Sequence, residues 1–474
     1  MEFDPQISIR TLVTPVDWAV FAAVLAVTLA AVWWGHARKR RTLKGAGEKE
    51  TFLDLLLMGR RLTLPLFVAT LVATWYGGIF GVTEIAFNHG IFNLITQGVF
   101  WYVAYLVFAF FIIGRIGRYN AVTLPDLVSR MFGPRSGRLS AVFNFFNVLP
   151  IAYTISIGIF LQLLFGGPLW LMMLLGVLGV VLYSMWGGFR AVVFSDLVQF
   201  FVMCSAVCLV AVLSVTTFGG IGFLRRNLPA SHFSPTGGMS WSATLVWGFV
   251  ALATLVDPNF YQRCFAAVST RAARLGILIS TVIWFGFDIC TTMGGMYARA
   301  VVPEADAHHA YLVYAVQLMP AGLRGFMLAG IAATVLSTLD SYLFLAGTTV
   351  AYDLVPERLK GRVNLHHLGI VTTGLLSVVL GLAFHGNIKE TWKTLGSYSA
   401  ACLLLPMLVG YAFPGKIRDN QFLFASLLGV AGTTLWRAAD RSGFWAEVDA
   451  LYIGCACTAI GLVSYALARR LDQG

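Results

Sequence analysis

The chain has 474 residues, 58% of them hydrophobic and only 12% charged, and its mean hydropathy is +0.78. A soluble domain carries about 25% charged residues, so a soluble enzyme is excluded. So are a disordered chain, which needs polarity, and a disulfide scaffold, which needs far more than 7 cysteines at this length. The formal net charge of +11 is read from its placement along the chain.

A membrane-crossing helix needs about 20 mostly apolar residues. Thirteen stretches qualify: 17–35, 62–87, 91–113, 139–165, 168–186, 191–216, 240–256, 275–299, 323–350, 367–385, 391–413, 421–436 and 446–468. Strands of a membrane barrel would alternate in polarity over about 10 residues; these runs are long and apolar all round and predict helices. The first run lacks a preceding basic region and a clear small-residue cleavage site before Arg38-Lys39-Arg40-Arg41, so it reads as a retained helix, not a signal peptide. With the N-terminus outside, 24 of the 33 Lys and Arg fall in inside segments, including Lys44, Lys49, Arg469, Arg470 and a loop holding Arg263, Arg271 and Arg274. This bias sets N-terminus out and C-terminus in, and it explains the basic balance without nucleic acid. Cys264 falls in an inside loop and the other six cysteines within spans, so none is placed for an extracellular disulfide. No loop is long enough to fold alone, and function is expected within the bundle.

Ionisable residues inside spans are costly and mark functional positions by default. Here they are Glu84 at the end of the second span, Asp196 in the sixth, Asp288 in the eighth and Asp340 in the ninth. The second span reads FVATLVATWYGGIFG over 67–81. Its three glycines fit either an unwound mid-membrane segment or a close-packing face, and the spacing does not separate the two. In the ninth span Thr334, Ser337, Thr338 and Ser341 fall on one helical stripe with Asp340 beside it. Singly, such hydroxyls often just bond their own backbone; together they form an all-oxygen cluster of the kind that hard cations prefer.

Several motifs resemble the sodium:solute symporter family. The stretch 183–199, YSMWGGFRAVVFSDLVQ, is similar to the family signature. Asp257 to Gly276, with Tyr261-Gln262-Arg263, resembles the loop after its core helix six; Thr123-Leu-Pro-Asp126 with Arg130, Phe132 and Gly133 resembles the loop between core helices two and three; Ala332 to Asp353 resembles core helix eight. The matches spread over about 62–415. The resemblance implies an all-α polytopic membrane protein with a 5+5 inverted repeat of the LeuT type. Residues 62–216 would form the first repeat and 217–415 the second, with an extra helix and loop in 1–61 and two extra helices in 416–474. Core helices one and six would be broken.

The resemblance also implies sites. A sodium ion would lie between core helices one and eight, held by Leu71, Thr74, Thr334, Ser337 and Thr338. A second cation site, for sodium or a proton, would use Asp196, Asp340 and Ser341, with Asp340 standing where a serine is usual; a carboxylate capped by hydroxyls to hold two helices is the alternative. The substrate cavity would draw on Thr74 with Trp75, Tyr76, Gln97, Asn147, Tyr153, Thr254, Asp288 and Tyr398. Ala253 and Thr254 stand where sugar carriers have an aromatic gate, and Ala73 where proline carriers have an aspartate, which argues against both substrates. Trp75 and Tyr76 suit a flat or cationic ligand, and Asp288 suits a substrate amine, a basic side chain or a helix break.

The expected function is sodium-coupled symport of a small polar or charged organic solute by alternating access, with Na+ as coupling ion. A proton-coupled carrier and a transporter-like sensor acting with a partner are the rival readings. An intramembrane enzyme is not expected: there is no HExxH, and the His308-His309 and His366-His367 pairs fall in loops without a third ligand. The expected setting is the plasma (inner) membrane, multi-pass, with a small-molecule substrate and the lipid bilayer as partners, as a monomer or weak oligomer.

Overall fold

The computed structural model describes residues 3–5, 7–42, 48–442, 445 and 448–471, excepting the side chains of 38–42, 48–51, 186 and 469–471. Of the basic residues counted toward orientation, Lys44 lies outside the described residues, as do the side chains of Arg38, Lys39, Arg40, Arg41, Lys49, Arg469 and Arg470.

Each of the thirteen apolar stretches contains helix, and among the described residues the only strand-like pairing is an isolated bridge between Leu62 and Ala267. In chain order the bundle consists of α1 (Pro15–Thr42), α2 (Leu64–Ala73), α3 (Ile79–His89), α4 (Leu94–Tyr119), α5 (Pro134–Phe165), α6 (Leu169–Met185), α7 (Gly187–Phe218), α8 (Trp241–Leu252), α9 (Pro258–Ala266), α10 (Thr270–Val301), α11 (Leu323–Asp353), α12 (Val363–Ala383), α13 (Ile388–Ala412), α14 (Asp419–Ala438) and α15 (Ala450–Leu471). Ten helices among the described residues are long and apolar enough to cross a membrane. The other three expected spans depart for separate reasons. The second is split into α2 and α3, α6 is two residues shorter, and α14 opens and closes on charge at Asp419 and Arg437.

The α6–α7 hydrogen-bond ladder runs from Leu169 to Phe218 with one break at Gly188, where φ is +63°. Fifty residues of straight helix would reach roughly 75 Å, more than twice the ~30 Å hydrocarbon core, so the chain reverses at this glycine. Burial separates centre from rim. In α11, 94% of the most apolar window is buried, against 17% in α1. Exposed Trp33, Leu182, Phe201, Val282, Val379 and Leu435 form an outward apolar surface, as lipid contact requires.

α1 is nonetheless pinned to the central helix. Asp17 Oδ1 accepts from the backbone N–H groups of Gly322 (2.7 Å) and Gly325 (2.9 Å) at the start of α11. Its Oδ2 accepts from Thr14 N and Oγ1 at 2.9 and 2.7 Å. A carboxylate at a helix N-terminus meets both unsatisfied donors and the positive end of the dipole.

A cavity between two broken helices

Two breaks face one another. α2 ends at Ala73, and the chain leaves helical geometry over 74–78 before Gly78 starts α3. Both readings of the glycines hold together here. The segment is unwound, and it is also closely packed: a Cβ on Gly77 would lie 2.5 Å from Thr338 Cβ and 2.6 Å from Tyr153, and one on Gly78 would lie 2.0 Å from Trp392. The second break follows α8. Residues Ala253–Val256 tighten into a 3-10 turn, and Asp257 then caps α9, its Oδ1 accepting from Asn259 N at 2.8 Å with Pro258 in the first turn. Proline suits that position because the amide it lacks has no helical partner there.

Where the first break meets α11, Ser337 Oγ lies 2.7 Å from the Ala73 carbonyl oxygen and 2.8 Å from Ala333 O of its own helix, its one proton shared between them. Thr338 Oγ1 reaches Thr334 O at 3.2 Å, and Ser337, Thr338 and Thr334 are all fully buried. The carbonyl met across the crossing is thus Ala73's, the last of the helix. Of the two expected carbonyls, Leu71 O faces the Thr74 hydroxyl at 3.5 Å, and Thr74 O faces Asn259 Nδ2 at 3.4 Å. The result is a buried, neutral, oxygen-rich crossing, suited to a monovalent hard cation more than to a divalent one, which draws several carboxylates.

The second expected cation site is built differently from the expectation. Arg263, counted as an inside-loop residue, is fully buried on α9. Its Nη2 lies 3.5 Å from Asp196 Oδ2 and donates to Thr70 Oγ1 and Ser341 Oγ, both at 3.0 Å. Asp196 also accepts from the Thr70 hydroxyl. A guanidinium therefore stands between Asp196 and Ser341. Asp340 takes no part and accepts from Ser184 Oγ on α6, because its side chain leaves α11 on another face.

The cavity encloses about 150 Å³ beside both breaks. Trp75, Tyr76, Gln97, Asn147, Tyr153 and Thr254 line it as expected. Thr74 does not, being fully buried with its hydroxyl on Thr70 O at 2.7 Å. Two more expected residues lie elsewhere. Asp288 is buried behind the wall, accepting from the hydroxyls of Tyr76 and Tyr102. Tyr398 is turned out to Thr434 Oγ1 at 3.0 Å. The expectation missed Trp101, Trp247, Asp257, Tyr342 and Trp392, which share the wall with small and aliphatic residues. The signal for Asp257 was available: an aspartate followed by proline directly after an apolar run is a helix restart. The tryptophans carried no signal that separates a cavity wall from ordinary packing.

At one end of the bundle, Glu84 of α3 pairs with Lys389 Nζ of α13 at 2.7 Å and with His308 Nδ1 at 3.2 Å. His366 and His367, expected in a loop, lie inside α12, with the His366 ring 5.0 Å from that of Phe344.

Comparison with known proteins agrees with this architecture. The profile of the sodium:solute symporter family matches residues 56–408. The osmoregulated proline transporter OpuE of Bacillus subtilis is 24% identical over 343 residues, covering 67% of this chain and 68% of that protein. The sodium/pantothenate symporter of Escherichia coli is 26% identical over 391 residues, covering 76% and 80%. A Na+-coupled sialic acid symporter, solved substrate-bound and outward-open, superposes with a TM-score of 0.77 at 16% identity, over 96% of this chain and 98% of that one. At that identity the likeness speaks for the fold: an all-α multi-pass bundle of the LeuT type. With the family profile spanning well over half of its length, this chain belongs to the sodium:solute symporter family.

Proposed function

We propose that this symporter imports a small organic solute through the central cavity and draws the energy from one Na+ bound where α2 crosses α11. The ligands are the hydroxyls of Ser337 and Thr338, the Thr334 carbonyl and the carbonyls at the end of α2, from Leu71 through Ala73 to Thr74. The observation that carries this is the 2.7 Å contact of Ser337 Oγ with Ala73 O beside the cavity. An ion entering that contact ties the unwound segment to the buried helix. Alternating access follows from one link in the cycle: sodium fixes the segment that also carries Trp75 and Tyr76 of the cavity wall. The membrane potential adds about 2.3 kcal/mol per charge per 100 mV.

In this reading residues 62–216 and 217–415 act as the two repeats, with 1–61 and 416–474 outside them, and the chain sits in the inner membrane with its N-terminus outside. The Asp196–Arg263 pair fastens α9 to α7, and the second cation position is held by the protein's own guanidinium. The test is uptake of a labelled solute panel into proteoliposomes. Uptake driven by an inward sodium gradient, with half-saturating sodium raised at least about tenfold by Ser337→Ala, supports the reading. Uptake indifferent to sodium overturns it.

A further inference from the structure

We infer that the transported solute is a small organic cation: an alkylated ammonium whose charge lies against Asp257 within an aromatic enclosure, and which carries an oxygen able to accept from Gln97. This rests on the reading of the cavity as the solute site.

Seven of the cavity's side chains are aromatic. Ring faces are electron-rich and attract a cation, more so when it is stripped of water. The protein's own Lys393, outside the lining, already rests its ammonium 5.5 Å from the Trp247 ring centre. Asp257 is the one acidic side chain of the lining, and no Lys, Arg or His shares the wall with it. Its oxygens accept from Asn259 N at 2.8 Å and Tyr342 Oη at 3.0 Å. A carboxylate has about four acceptor positions; Arg263 acts on Asp257 through space, but it is paired with Asp196 and lies outside the lining.

These features select against other solutes. An anionic solute would face Asp257 without a cationic wall group. A sugar needs many polar partners, and the walls offer few: Asn147 Oδ1 is already taken by Ser399 at 2.9 Å, and Tyr76 gives its hydroxyl to Asp288. One donor of the wall is fully buried. Gln97 Nε2 is buried without a protein partner and belongs to the lining, so one oxygen on the solute completes it. A volume of about 150 Å³ is that of a cavity which admits a single small ring.

The test uses purified full-length protein in lipid nanodiscs, with binding read from tryptophan fluorescence in sodium and in potassium. The probes are hydroxyethyl-trimethylammonium, its uncharged isostere with carbon in place of nitrogen, and a carboxylate of equal size. The expected result is sodium-dependent binding of the ammonium, at least about tenfold tighter than the isostere, with Asp257→Asn removing most of that preference. Because Asp257 also caps α9, Trp101→Leu serves as a second variant. It is expected to weaken the ammonium severalfold and the isostere less. Equal binding of ammonium and isostere, or binding of the carboxylate alone, overturns the inference while leaving sodium symport standing. Ammonium binding indifferent to sodium supports the enclosure and counts instead against the symport reading.

Discussion

Replacing Asp196 with asparagine isolates the most deeply buried charge pair among the described residues. Asp196 and Arg263 have side chains 0% and 1% exposed, and their nearest atoms are 3.5 Å apart. In Asp196→Asn the guanidinium keeps hydrogen bonds only to uncharged oxygens, those of Thr70, Ser341 and Asn259, with Asp257 acting on it through space. Breaking one side of a buried pair costs about 3–5 kcal/mol, most of it the uncompensated charge. The remaining hydrogen bonds place this case near the lower end, about 3 kcal/mol. Arg263→Met strands the carboxylate in the same way, whereas the double variant removes both members of the pair and should sit within about 1 kcal/mol of wild type. The assay is thermal unfolding in detergent for the four corners of the cycle, with both single variants several degrees below wild type and the double variant recovering most of the loss. A coupling under about 0.5 kcal/mol would refute the pairing. Asp340→Asn is the internal control: its partner is the Ser184 hydroxyl, so the loss should be about 1 kcal/mol.

Gly77→Ala would place a methyl 2.5 Å from Thr338; it should cost about 1–3 kcal/mol by overpacking and abolish stabilisation by sodium, both readable in one thermal-shift titration. Asp17→Ala removes the acceptor shared by Thr14, Gly322 and Gly325, and should lower thermal stability by about 2–3 kcal/mol. The hydrogen bond to Glu84 holds the His308 pKa above its ordinary 6.5. A raised folded-state value means that the contact is fully stabilising below pH 6.5 and is lost as pH rises through the folded value. The gain should be under about 1 kcal/mol, since half of the ring is in water. His308→Gln should flatten the pH dependence of stability on that side of neutrality, and an unchanged profile would contradict the contact.

Hydropathy located all thirteen helices because most of them touch lipid along one face, and the lipid-facing side chains are what such a scan reads. It failed at α9, where Asn259, Gln262 and Arg263 are buried in protein instead. A polar helix surrounded by other helices looks like a loop to any measure of apolar length, and so Arg263 was counted among solvent-facing charges. The break in the second span was legible from Gly77 and Gly78, since few residues besides glycine let Thr338 and Trp392 approach so closely. The hydroxyl stripe of α11 was legible as a stripe, but its register against α2 was not: meeting Ala73 instead of Leu71 or Thr74 depends on where the helix ends. Asp288 and Tyr398 were placed on the right helices and the wrong faces. The helical phase of an all-apolar span gives no reference direction, whereas Trp75, Tyr76 and Gln97 sit at or next to departures from regular helix that aim them at the cavity.

The most direct test of sodium binding at the α2–α11 crossing is equilibrium binding of radiosodium to the purified protein, with no solute present. Wild type should bind saturably, and the Ser337→Ala, Thr338→Ala double variant should lose at least about tenfold in affinity while keeping its thermal stability within a few degrees. Undiminished radiosodium affinity in that double variant would contradict the account.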